Sequence, residues 1–145
     1  MNAMRKITKP IAGNKEVIMS KLLLQALTGV VGLMTLALGG MQLVMGVQSP
    51  VYGDISLPNS PILDSNLRFF GGLGFGLGVI LLLSIVNIEQ KTMLFRVSWA
   101  LAFIGGVGRL ISLFLVGSPS MPLLVFTIIE VVGAPIFVVW QSRLS

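Results

Sequence analysis

The chain has 145 residues, of which 54% are hydrophobic and only 10% charged, and its net charge is +5. Its mean hydropathy is +0.95. So few charges cannot cover a soluble domain of this size, so the composition points to a membrane protein. A nucleic-acid partner is excluded because the cations do not share one solvated face. Five of the ten (Arg5, Lys6, Lys9, Lys15 and Lys21) precede the first apolar segment. Cysteine and histidine are both absent. That removes disulfides, thiol nucleophiles, histidine metal sites and histidine proton shuttles. No cofactor or metal is expected.

Residues 1–20 read as a basic cytoplasmic extension suited to anionic head groups. Met19-Ser20-Lys21 would also make a plausible start. The apolar run that follows is too long for a signal-peptide core and lacks a small-x-small cleavage site, so it is expected to be retained. Residues 21–145 then form one domain with four spans, at about 22–47, 68–88, 97–116 and 121–140. Each reaches the roughly 20 residues that cross a bilayer at 1.5 Å per residue.

The connections agree with this division. The first, about 48–66, is polar and carries Pro50, Pro58 and Pro61 with Asp54 and Asp64. The second, Glu89 to Arg96, is short and charged, and the third, Gly117 to Pro122, is a turn-rich break. Lysine and arginine collect on the cytoplasmic side of membranes. Here eight fall on the side of the termini, against Arg68 alone on the other. The expected fold is an all-α, integral membrane four-helix bundle, up-down-up-down, with both termini cytoplasmic, in a bacterial inner membrane. Trp99 and Trp140 are expected at the cytoplasmic interface and Tyr52 at the opposite one.

The second span opens at Asp64-Ser65-Asn66, with Asp64 or Ser65 as the expected cap. Arg68 follows in the first turn, where the helix dipole disfavours a cation. Asp64, four residues back, is one partner, and an inward reach toward Glu130 is the other. Gly72-x-x-x-Gly76 and Gly74-x-x-x-Gly78 offer a smooth face for helix packing. No Lys-Ser/Thr follows, so these glycines are not a phosphate loop.

Arg109 in the third span and Glu130 in the fourth are the only charges deep in any span. Counted from the intervening turn, both lie roughly 12–14 Å below the outer boundary. An unpaired charge there costs at least about 2.5–3.5 kcal/mol, and a guanidinium can bond a carboxylate bidentately. An Arg109–Glu130 ion pair is therefore expected. Gly105 and Ser112 share the Arg109 face, and Thr127, Gly133 and Ala134 share the Glu130 face. The small residues allow close approach, and the two hydroxyls can take leftover hydrogen bonds. Gly106 and Gly108 add to the packing surface. Pro135 lacks a backbone donor and is expected to kink the helix near the pair.

Such a pair is either a structural lock or part of a ligand site. In the second case Arg68, Arg109, Glu130, Gln42 and Asn66 would line a pocket opening to the extracytoplasmic side, with Ser112 and Thr127 nearby. It would suit an anionic or strongly polar head.

The stretches LRFFGGLGFGLG, GGVGRLISLFLVGSP and IIEVVGAP resemble a family of small bacterial four-helix membrane proteins, the domain of unknown function 4345. The matching residues are Asn66, Arg68, Gly105, Gly106, Gly108, Arg109, Glu130 and Pro135, and the resemblance covers roughly 20–142. The architecture is more loosely similar to DoxX-like proteins. The resemblance implies the fold and supplies no activity. The residues favour a non-catalytic accessory or scaffold subunit, partnered by the lipid bilayer and by a larger membrane complex or further copies of itself. The alternative is a binder of, or enzyme on, a lipid- or quinone-like ligand. A small proton-coupled transporter using Glu130 ranks third.

Overall fold

A computed structural model describes residues 9–53 and 55–144, with side chains from Asn14 onward. Arg5 and Lys6 of the basic extension, and Asp54 of the first connection, lie outside the described residues. All regular structure in the described part is helical. Helix α1 is Lys9–Met45, α2 is Pro61–Ile85 and α3 is Thr92–Leu115. The fourth span is broken into α4 (Met121–Ile128), a π-helical turn (Ile129–Gly133) and α5 (Ala134–Ser142). Four helical stretches, Asn14–Gln48, Pro61–Ile85, Thr92–Leu115 and Met121–Ser142, are long and apolar enough to cross a membrane. This is the architecture of a multi-pass membrane protein.

Several boundaries differ from expectation. The cap of α2 is Ser60, whose side chain makes no capping bond, and Pro61 starts the helix. Proline suits that position, because its missing N–H would be unpaired there anyway and its φ is already helical. Asp64 therefore sits inside the first turn and is free to serve α1. The break in the fourth span also has a local cause. Pro135 cannot donate to the carbonyl four residues back, and its ring would clash there. The preceding turn widens, and Ala134 N–H donates to Ile129 five residues back.

Helices α1 and α2 pack antiparallel and very closely. Gly39 meets the backbone at Gly74–Phe75, Gly71 meets Gln42–Leu43, and Gly78 meets Leu36. A Cβ at Gly78 would lie 2.5 Å from Leu36 N, so only glycine allows this approach. Gly72 touches only the Leu43 side chain, and Gly76 has nothing within 4 Å. The seam is thus built on Gly71, Gly74 and Gly78 rather than on the Gly72/Gly76 pair. A helix has one contact stripe, and residues 71, 74 and 78 share it.

The two hairpins join at the end that carries both described termini. Leu24, Leu81, Ile88, Phe95, Trp99 and Ala134 form a buried cluster there. Trp99 stacks on Phe137 with ring centroids 4.5 Å apart and is only 1% exposed. It is a core residue rather than an interfacial anchor, because its ring fills the gap between the hairpins. Polar bonds fasten the same end. Lys21 pairs with Glu89 at 2.7 Å, and Trp140 Nε1 donates to Ser20 Oγ at 2.7 Å. Buried Gln141 accepts from Arg96 Nε and donates to Thr92 Oγ1. Toward the opposite end the hairpins diverge, and a wedge opens between them.

Candidate functional site

The wedge is a cavity of about 520 Å³ lined by α1, α2, α3 and the fourth span. Residues Val51 and Tyr52, in a short 3-10 turn, close over one end. Most of its wall is hydrocarbon, including Leu38, Phe70, Leu77, Leu101 and Phe126. Five polar side chains line it: Thr35, Gln42, Tyr52, Arg109 and Glu130. A volume of this size, apolar with a few polar groups, is typical of small-molecule sites.

The charged groups come from α3 and the π-helical turn. Arg109 Nε lies 3.0 Å from Glu130 Oε2. That oxygen is buried and receives no hydrogen bond of good geometry, so the contact is an ion pair without a directed bond. It is also one-pronged rather than bidentate. The side chains are 43% and 19% exposed, the arginine being the more open. No other protein group among the described residues bonds the guanidinium, so most of its five N–H donors are available to the wedge. Gly106 sets the helix spacing here. A Cβ on it would come within 2.6 Å of Glu130 Cβ, so α3 rests its backbone directly against the π-helical turn.

Tyr52 supplies a second free donor. Its hydroxyl is buried and has no hydrogen-bond partner of normal geometry, with the Gln42 side chain as its polar neighbour. Burial raises the phenol above its usual value, and Gln42 opposes that more weakly. The group is therefore a neutral O–H throughout the physiological range. Tyr52 belongs to the wedge and not to an exposed aromatic belt.

The other expected pocket residues fall elsewhere. Arg68 turns away from Glu130. Its Nε donates to Asp64 Oδ2 at 2.6 Å, and its Nη1 donates to the carbonyls of Leu43 and Val44. Those carbonyls close α1, where no helical partner remains for them. Asp64 Oδ1 in turn accepts from Val47 N–H at 3.0 Å. The pair is a clamp on the end of α1. Gly46 makes room for it, with a φ of 55° and no space for a Cβ beside Asp64. Asn66 is exposed outside the cavity, and so is Ser112. Thr127 is buried, but its hydroxyl donates to Leu123 O at 2.8 Å on its own helix. Gly105 lines the wedge, Gly108 is open, and Gly133 touches only its own helix.

Thr35, the Gly39 seam and the Gln141 network were not singled out from sequence. A glycine at 39 able to face Gly71 and Gly74, with Gly78 one turn on against Leu36, is a readable signal for the seam. Thr35 and Gln141 had none, because a lone polar residue in an apolar run looks the same wherever it faces.

No curated protein and no solved structure matches this chain. The family model described as "Domain of unknown function (DUF4345)" matches residues 23–141 and so spans all four helical stretches, the wedge and its ion pair. The chain belongs to this family, whose description assigns no activity.

Proposed function

We propose that the protein is a non-catalytic binder of a lipid- or quinone-like amphiphile in a bacterial inner membrane. The carrying observation is the wedge itself, with a cation, a carboxylate and a phenol set into hydrocarbon walls. The four spans run up-down-up-down with both termini in the cytoplasm. Lys21, Lys91, Arg96 and Arg143 gather at the end of the termini, which is the distribution that cytoplasmic retention of positive charge produces. In this orientation Arg109 and Glu130 lie deep in the membrane, and their mutual attraction offsets the cost of placing either one there. The wedge then faces the extracytoplasmic half. Its exposed wall residues Phe70, Leu101 and Gly105 leave a route from the bilayer. Native mass spectrometry of the purified protein tests the reading. A co-purifying amphiphile that Arg109→Ala releases supports it, and an empty wild-type protein opposes it.

A second reading, an accessory or scaffold subunit, rests on one further observation. Gly105, Gly108 and Ser112 form an exposed small-residue face on α3, the kind of surface a further transmembrane helix packs against. Mild-detergent purification tests it. A larger complex or a homo-oligomer that Gly108→Leu disperses supports this role, and a strict monomer opposes it.

A further inference from the structure

The charges that line the wedge cancel. Spacing alone would put Arg68, Arg109 and Glu130 in one pocket of net charge +1, a host for an anion. The clamp on α1 removes Arg68, since Asp64 and two carbonyls occupy it. What remains is one guanidinium against one carboxylate at 3.0 Å, with neutral Thr35, Gln42 and Tyr52. An anion entering here would meet Glu130 beside its own binding cation. Hydrocarbon walls strengthen that repulsion, because little solvent screens it.

The hydrogen-bonding inventory points the same way. The wedge offers several unfilled donors, the remaining N–H groups of half-exposed Arg109 and the buried Tyr52 hydroxyl, against one buried acceptor without a directed bond, Glu130 Oε2, which already faces the guanidinium. Buried donors need acceptors. The fitting head therefore offers oxygen acceptors and carries no charge.

We infer that the wedge selects an uncharged amphiphile whose head carries carbonyl oxygens, and that it discriminates against the anionic amphiphile of equal chain length. This rests on the ligand-binding reading above. Two sources share the chemistry, the ring carbonyls of a quinone and the ester carbonyls of a neutral glycerolipid. Arg109 and Tyr52 donate to the oxygens, Glu130 holds Arg109 in place, and the chain lies along Phe70 and Leu101.

The test uses the full chain in detergent, with binding read by native mass spectrometry and by thermal shift. The probes are a short-chain diacylglycerol, an alkyl benzoquinone and a fatty acid, matched in chain length. At least one neutral probe is expected to bind tenfold or more tighter than the fatty acid, and which one does so identifies the source. Tyr52→Phe, which lies outside the spans, should weaken that probe several-fold without changing the fold. Glu130→Gln should raise fatty-acid affinity tenfold or more, which a purely structural Glu130 would not do. Fatty acid binding as tightly as the neutral probes to the wild type overturns the uncharged-head inference and leaves ligand binding intact. No binding of any probe to folded wild-type protein overturns both.

Discussion

Arg109 Nε and Glu130 Oε2 meet at 3.0 Å across two helices, and the meeting depends on a π-helical turn and a glycine. Pro135 forces the turn, and Gly106 lets α3 press against it. The contact is single and half-open, so the arginine keeps donors free for the wedge. π-helical turns of this kind recur at functional sites.

Charge reversal measures the coupling. Arg109→Glu and Glu130→Arg should each lower stability by at least about 2 kcal/mol, since each leaves two like charges in an apolar setting. The double variant should recover more than half of the loss, giving a clear interaction energy in the mutant cycle. Thermal unfolding in detergent reads it. A double variant no better than the worse single one would contradict a direct pair.

The α1–α2 seam makes a paired prediction. Gly78→Val drives a side chain into the Leu36 backbone and should cost about 1–3 kcal/mol or abolish folding. Gly76→Val meets open space and should be nearly neutral. Equal effects in expression and melting temperature would show that the seam is elsewhere.

The buried Trp99 should act as the main spacer between the hairpins. Trp99→Ala removes the stack on Phe137 and is expected to cost about 3–5 kcal/mol, with Trp99→Phe retaining much of it. Unfolding midpoints of the two variants check this ordering.

Tyr52 is the sole tyrosine in the chain, so phenolate absorbance reports on it alone. Its titration midpoint should lie above the ordinary value near 10. The folded state favours the neutral phenol, so the stabilisation is complete below pH about 10 and fades as pH rises through the shifted midpoint. Gln42→Leu should move the midpoint further up, because Gln42 acts against burial.

The absence of cysteine makes topology directly readable. Single replacements at exposed Ser56 and Ser142 introduce unique labels. In intact cells an impermeant maleimide should label Ser56→Cys, and Ser142→Cys only after permeabilisation. The reverse pattern would invert the proposed orientation.

The four helices were legible in the sequence, because a span is a local property: about twenty apolar residues with charged or proline-rich breaks. That Arg109 and Glu130 lie at matched distances from the turn between their helices, and so can meet, followed from helix rise alone. Facing directions were less accessible. Arg68 could reach two partners, and only the nearby end of α1, with its unpaired carbonyls, decides between them. Gly72 and Gly76 formed as good a motif as Gly74 and Gly78, and the crossing with Gly39 selects the second. Trp99 suits an interfacial ring by its place in the sequence, and only the Phe137 ring stacked on it makes it a core residue.

The sequence by itself determined that this chain carries four membrane-length apolar helices with one cation and one carboxylate at matched positions, because hydropathy and rise per residue act along the chain. The tertiary structure alone decided that the hairpins join at one end and part at the other, that Arg68 leaves the site, and that the remaining cavity keeps one guanidinium and one carboxyl group. Those outcomes depend on which side of each helix meets its neighbour, and a rotation of about 100° per residue separates a cavity-lining side chain from one turned toward lipid.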